Sequence, residues 1–229
     1  MKLLLVLCAR AKSERMPGRH HEDVCGKPMW RWAFDACCGT IQDNPDVKLI
    51  VSTDDKAILA RVETGYGRLR DAGISGPKSP IHEALQDAVK ASGEKPEWVG
   101  FIPANVPTVT FETIQRCMPL KKCPASAVIT TRRVHDHPAW MWRNTAGWLA
   151  PAFPSTQKIA YRMQELVWPV IATGSVNLVR REVLMACSSA AAFRWLGDKI
   201  HGVDDPDAVE VHDEADLERA RLVIGGRHD

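Results

Sequence analysis

Leu3-Leu4-Leu5-Val6-Leu7-Cys8 runs directly into Ala9-Arg10-Ala11-Lys12-Ser13-Glu14-Arg15-Met16-Pro17-Gly18-Arg19. Six unbroken apolar residues read as a strand covered on both faces, as in a parallel sheet. The basic, Pro- and Gly-punctuated stretch after them reads as the loop at that strand's carboxyl end. Pro28 then opens an apolar-rich helix (Met29, Trp30, Trp32, Ala33, Phe34, Ala36, Cys37), where its missing N–H is not needed. The alternation continues down the chain. A strand is expected at 47–51, and Ser52-Thr53-Asp54-Asp55 can cap a helix at 56–64. Then come a helix at 81–90, a strand at 98–102, a helix at 111–118 and a strand at 125–130. A strand at 176–179, a helix from 181, a short strand at 209–211 and a helix at 213–223 complete the pattern. Strands alternating with helices imply βαβ units, right-handed crossovers and a mainly parallel sheet. Ligands in such sheets bind at the carboxyl ends of the strands, so the loops after Cys8, Val51 and Ile102 are where chemistry is expected.

The 229 residues suit a single domain with its own core. A net charge of +2 gives no argument for nucleic acid or an anionic membrane as partner. No apolar run approaches the roughly 20 residues of a membrane span. The apolar start is followed at once by Arg10 and Lys12, and Leu7 before Cys8 is too large for a cleavage site; it reads as a first strand of a cytoplasmic protein rather than a leader. The seven cysteines are odd in number and form no C-x-x-C pair, which reads as reduced thiols. Residues 135–170 break the alternation with Trp140, Trp142, Trp148 and Trp168 among four prolines. They read as an insertion outside the sheet: a substrate lid, a dimer arm or core, with a homodimer preferred.

The loop after the first strand carries four basic side chains and one acid. Guanidinium forks grip phosphate in two places, and Gly18 lets backbone approach closely. The loop is neither a Walker A sequence nor G-x-G-x-x-G. At the other end, residues 204–218 hold eight acids and no Lys or Arg. Such a run suits a divalent cation, and equally a solvated helix N-terminus begun by Asp213, Glu214 and Asp216.

Ala9-Arg10…Ser13…Arg15…Pro17-Gly18-Arg19 and Gly26-Lys27-Pro28-Met29 resemble the signature loop of the sugar cytidylyltransferases, the enzymes that activate acylneuraminates and 3-deoxy-octulosonate with CTP. Val51-Ser52-Thr53-Asp54-Asp55, Ser79…Glu83-Ala84-Leu85, His137-Pro138…Trp140, Arg162…Gln164-Glu165-Leu166, Thr173-Gly174-Ser175, Arg180-Arg181-Glu182 and Asp216-Leu217 resemble further motifs of that family in the same order. The resemblance extends over residues 3–224 and leans to the acylneuraminate branch. It implies a three-layer, Rossmann-like nucleotidyltransferase fold with an inserted arm, and attack of a sugar's anomeric hydroxyl on the α-phosphate of CTP. It also implies roles. Arg10, Ser13, Arg15 and Arg19 would hold the triphosphate. Backbone at Leu7, Cys8, Ala9 and Arg10 would read cytosine with Ser79, helped by Arg68 or Arg70. Arg162 and Gln164 would face the sugar, Arg162 through its carboxylate. Glu210, His212 and Asp213 would hold Mg²⁺, or Mn²⁺.

The chain departs from the family pattern on the chemistry itself. The terminal motif D-I-D-x-x-x-D-L reads Glu210-Val211-His212-Asp213-Glu214-Ala215-Asp216-Leu217, so His212 replaces an acid, and imidazole suits Mn²⁺ or Zn²⁺ better than Mg²⁺. Asn105 stands where the octulosonate branch has Asp, Arg19 where the family has Lys, and Thr173 where it has Asn. A working transferase for a nonulosonate of the sialic acid type is the expectation. An octulosonate enzyme, another sugar nucleotidyltransferase and a non-catalytic nucleotide binder are the alternatives. A glycosyltransferase is disfavoured, because Asp54-Asp55 is not a D-x-D motif.

Overall fold

The computed structural model describes residues 2–118, 124–153 and 167–227. The strands are β1 (Leu3–Ala9), β2 (Asp23–Val24), β3 (Lys27–Pro28), β4 (Val47–Thr53), β5 (Gly67–Leu69), β6 (Trp98–Pro103), β7 (Ala127–Arg133), β8 (Trp142–Thr145), β9 (Trp148–Pro151), β10 (Val170–Arg180) and β11 (Ile200–Asp204). The helices are α1 (Met29–Asp43), α2 (Lys56–Leu59), α3 (Ile81–Ser92), α4 (Phe111–Cys117), α5 (Arg181–Ala186) and α6 (Glu214–Gly225). Seven strands form one sheet in the order β11-β7-β10-β6-β1-β4-β5. All neighbours run parallel except β10, which is antiparallel to β6 and β7.

Strand β1 explains the layering. Every residue from Leu3 to Ala9 is buried, as the unbroken apolar run demands. Successive side chains point to opposite faces. Leu3, Leu5, Leu7 and Ala9 pack with Trp30 and Phe34 of α1 and Ile114 of α4. Leu4, Val6 and Cys8 pack on the other face with Leu85, Ala88 and Val89 of α3 and Leu184 of α5. The result is a three-layer α/β fold. A third cluster joins α6, through Leu217, Ala220 and Ile224, to Val24 and Met29.

The structure corrects several sequence expectations. The helix expected at 56–64 stops at Leu59, where the Arg61 N–H turns to the Ile58 carbonyl, and Gly65 (φ 98°) precedes β5. Its cap is as expected: the Asp55 carboxylate accepts from the Ala57 and Ile58 N–H groups. Residues 209–211 form no strand. The Val209 N–H donates to Thr108 Oγ1 (2.9 Å) and the Val211 N–H to the Asn105 carbonyl (2.8 Å), so the segment is tied to the loop after β6. The strand near 176–179 is the carboxyl-terminal part of the longer β10, which is broken by an irregularity between Ala172 and Asn177. Short edge strands β5 and β11 were missed. Within the 135–170 stretch, β8 and β9 pair only with each other, in a separate two-stranded sheet. Among the described residues, no helix is long and apolar enough to cross a membrane.

Candidate active site

From β1 the chain crosses through α1 to β4 on one side, while β6 lies on the other. The carboxyl ends of β1 and β6 therefore feed loops that part in opposite directions, and a crevice opens between them. Here it is a cleft of about 420 Å³. One wall carries Cys8, Arg10, Arg19 and His20 from the loop after β1, with Arg70 beyond it. Asn105 and Glu210 close its floor, and Phe101, Ile81, Phe193 and Trp195 form an apolar wall. Ala172, Gly174 and Asn177 enter from the irregular part of β10. Gly174 has φ 78°, a conformation that favours glycine, and a Cβ there would crowd Glu210 Oε2 at 3.3 Å.

The charges in the cleft are unbalanced. Arg70 is buried, yet its Nε and Nη2 donate only to Ser52 Oγ (3.0 Å) and the Ser52 carbonyl (2.6 Å). Arg10 Nη1 donates to the Gly76 carbonyl at 2.8 Å. Among the described residues neither has a carboxylate partner. Arg19 Nη1 donates to the Val211 carbonyl (3.0 Å) and reaches His212 Nδ1 (3.3 Å). Burial lowers the Arg19 pKa; the Glu210 charge opposes that, while Arg15 and Arg10 add to it. Buried or crowded guanidinium groups without counter-charge are costly. An oxyanion with several oxygens is the ligand that such an arrangement lacks.

Two neutral groups complete the wall. Burial pushes the Cys8 thiol up to about 11, so it is no nucleophile at neutral pH. Burial, then Arg19, drive His20 down to about 3, so its imidazole is neutral, and its buried Nδ1 has no partner.

The sequence-expected residues divide accordingly. Arg10, Arg19, Asn105, Glu210 and Cys8 line the cleft. Leu7 and Ala9 bury their side chains in the core. Leu7 lies in register with both β4 and β6, and the Cys8 carbonyl accepts from the Ala104 N–H at 3.0 Å. The backbone of 7 and 8 is thus committed to the sheet, whereas Ala9 pairs with β4 but lies past the end of the β6 ladder, where the loop toward Arg10 begins. Ser13 Oγ accepts from the Met16 N–H (3.3 Å) and shapes the loop, and Arg15 is exposed. Ser79 Oγ donates to the Gly73 carbonyl (3.4 Å), behind the Gly76 carbonyl that anchors Arg10. Of Arg68 and Arg70, Arg70 faces the cleft; Arg68 pairs with Asp87 at 3.1 Å. Arg162 and Gln164 lie outside the described residues.

The expected metal trio does not assemble. His212 Nε2 is 3.3 Å from Glu210 Oε1, but its Nδ1 faces Arg19. Asp213 instead caps α6 by accepting from the Asp216 N–H at 2.9 Å. Asn105 Nδ2 donates to Glu210 Oε1 and the Val211 carbonyl, both at 3.2 Å. Among the described residues no three His, Cys, Asp or Glu side chains converge as a metal site. As a trio this donor set does not fit a protein-held Mg²⁺, because one member is an imidazole and another is committed to the α6 cap; Glu210 is the carboxylate of the three that faces the cleft. The His135/His137 pair does not fit one either: His137 Nδ1 accepts from the Ala139 N–H, and its Nε2 meets the Val167 carbonyl.

Sequence reasoning missed His20, Asn177, Phe101, Phe193 and Trp195. Their signal is weak, because only the tertiary fold brings 192–195 and the β10 irregularity to the ends of β1 and β6.

No family model matches the chain. The 3-deoxy-manno-octulosonate cytidylyltransferase of Aliivibrio fischeri (strain MJ11) is 34% identical over 84 residues, which span 37% of this chain and 30% of that enzyme. The match thus spans about a third of the relative's length. The CMP-N,N'-diacetyllegionaminic acid synthase of Legionella pneumophila is 26% identical over 147 residues, covering 61% of this chain and 62% of that protein. The 3-deoxy-manno-octulosonate cytidylyltransferase of Saccharophagus degradans is 24% identical over 98% of this chain and 99% of its own. Among solved structures, a CMP:2-keto-3-deoxy-manno-octonic acid synthetase complexed with CTP superposes with a TM-score of 0.68 at 16% identity, over 99% of this chain and 100% of that one. The relatives named here are sugar cytidylyltransferases, the family to which the sequence motifs pointed, and the chain shares the fold of the CTP-bound synthetase.

Proposed function

We propose that this protein transfers the cytidylyl group of CTP to the anomeric hydroxyl of an acidic sugar. The hydroxyl oxygen bonds to the α-phosphorus, the bond to the bridging oxygen breaks, and pyrophosphate leaves. The observation that carries this reading is the cationic wall of Arg10, Arg19 and Arg70 at the sheet's switch point, with Arg70 buried and without an acid partner among the described residues. Phosphoryl transfer needs positioning and charge neutralisation more than a nucleophilic side chain, and the neutral Cys8 and His20 fit that requirement. Mg²⁺ or Mn²⁺ enters this reading only as the ion that CTP carries in solution.

The sugar is a nonulosonate of the sialic or legionaminic type, with an octulosonate as the second reading; the relatives carry both names. The exposed side chains of Trp142, Trp148 and Leu149 on the β8–β9 hairpin support a homodimer arm. A requirement for CTP supports a cytoplasmic location.

The test is pyrophosphate release with CTP, UTP, ATP and GTP against a panel of nonulosonic and octulosonic acids. Release with CTP and one sugar acid is expected. Nucleotide binding without turnover for any acid would favour a non-catalytic binder, and no binding of any nucleotide would overturn the reading.

A further inference from the structure

The acid-rich end of the cleft is already occupied by a cation, and that cation belongs to the protein. Arg19 reaches it from the loop after β1. Its Nη1 donates to the Val211 carbonyl at 3.0 Å and to His212 Nδ1 at 3.3 Å. A guanidinium has only N–H donors, so the imidazole nitrogen that faces it, Nδ1, is the acceptor and Nε2 carries the N–H. That proton points to Glu210 Oε1, 3.3 Å away. The same carboxylate oxygen takes the Asn105 amide. Two of the donors a metal would use are thus engaged: His212 Nδ1 by Arg19, and Glu210 Oε1 by His212 and Asn105. Asp213 is held at the head of α6.

From this chain of contacts we infer that Arg19, clamped through His212 to Glu210, is a built-in replacement for a protein-held divalent cation, so that the chain binds CTP without building a metal site of its own. The inference rests on the CTP reading above. The guanidinium is permanently charged, and Arg19 Nη2 makes no hydrogen bond or ion pair among the described residues, which leaves it for a phosphate oxygen. In this arrangement His212 is a positioning residue. It touches no phosphate itself but sets where Arg19 stands.

The experiment uses the full chain stripped of metal. Mn²⁺ retention without nucleotide is measured by equilibrium dialysis, and CTP affinity by calorimetry in EDTA and in excess Mg²⁺. Wild-type protein is expected to retain no stoichiometric Mn²⁺, and its CTP affinity to differ by less than about tenfold between the two buffers. His212→Asp, which sets a second carboxylate beside Glu210, is expected to gain Mn²⁺ retention and to make CTP binding depend on metal. Two results would overturn the inference: Mn²⁺ retention by wild type that His212→Ala abolishes, or CTP binding to wild type that disappears in EDTA. Failure to bind CTP in either buffer would instead overturn the functional reading, and the inference with it.

Discussion

The Asn105 side-chain amide donates to Glu210 Oε1 at 3.2 Å, joining the loop after β6 to the segment before α6. The second Asn105 contact, to the Val211 carbonyl, tightens the same junction. An amide is the right partner there because it offers hydrogens to an acid. Asn105→Asp would set two carboxylates against each other. It should lower stability by about 1–3 kcal/mol, a fall of several degrees in Tm for a chain of this size. Added Mn²⁺ should restore part of the loss, since the pair would then resemble a cation site. A Tm scan with and without Mn²⁺ reads both effects; an unchanged Tm would show that the contact is not formed in solution.

Arg70 should separate stability from function. Its buried charge is matched only by the Ser52 carbonyl and hydroxyl. Arg70→Met should reduce CTP affinity by about tenfold or more while leaving the nucleotide-free Tm level or higher, because an unpaired buried charge is removed. Calorimetry for CTP and a melting curve decide it. Affinity that survives would remove Arg70 from the site.

His20 should make the fold acid-sensitive. The unfolded imidazole binds a proton below its ordinary 6.5, whereas in the folded state it resists protonation down to about 3. Its contribution is therefore complete above pH 6.5 and is lost as pH falls from there toward 3. At about 1.4 kcal/mol per unit the whole effect is on the order of a few kcal/mol. His20→Asn should flatten the fall in stability across that window in urea titrations at several pH values, whatever it does to absolute stability.

Asp205 should act with the opposite sign. Burial raises its carboxyl pKa above the ordinary 3.8, while the Ser175 hydroxyl bond and Arg116 only partly offset that. The folded state then holds a proton that the unfolded state has released. The stability lent by that proton is present at low pH and lost as pH rises from about 4 through the raised value. Asp205→Asn keeps an acceptor for Ser175 and should raise Tm at pH 7–8 relative to wild type. A lower Tm there would contradict the assignment.

Trp148 and Leu149 are 82% and 61% exposed at the tip of the β8–β9 hairpin. Paired large apolar side chains in water fit a surface covered by a second copy. A double change, Trp148→Glu with Leu149→Glu, should convert a dimer to a monomer in light scattering without unfolding the sheet. A wild-type monomer at micromolar concentration would dismiss the arm as a dimer contact.

Local sequence chemistry by itself determined the layers. The unbroken run of β1 could be buried only on both faces, Pro28 could only stand at the head of α1, and Asp55 and Asp213 could cap the helices that follow them. Arg10, Arg19, Asn105 and Glu210 were legible for a related reason: they follow strand ends, or lie in a motif, and ligand sites of parallel sheets collect there. Only the tertiary structure decided which charges were left unpaired. Whether Arg68 or Arg70 faces the cleft depends on Asp87 lying next to Arg68 and on no acid among the described residues pairing with Arg70. Whether His212 is a metal ligand depends on Arg19, 193 residues away in sequence, taking its lone pair. Pairing and desolvation are properties of neighbours in space, so no spacing along the chain encodes them. The 209–211 segment, with Val209 and Val211 buried, shows the same limit from the backbone side: its apolar residues read as a strand, but their N–H groups found Thr108 and Asn105 before any sheet.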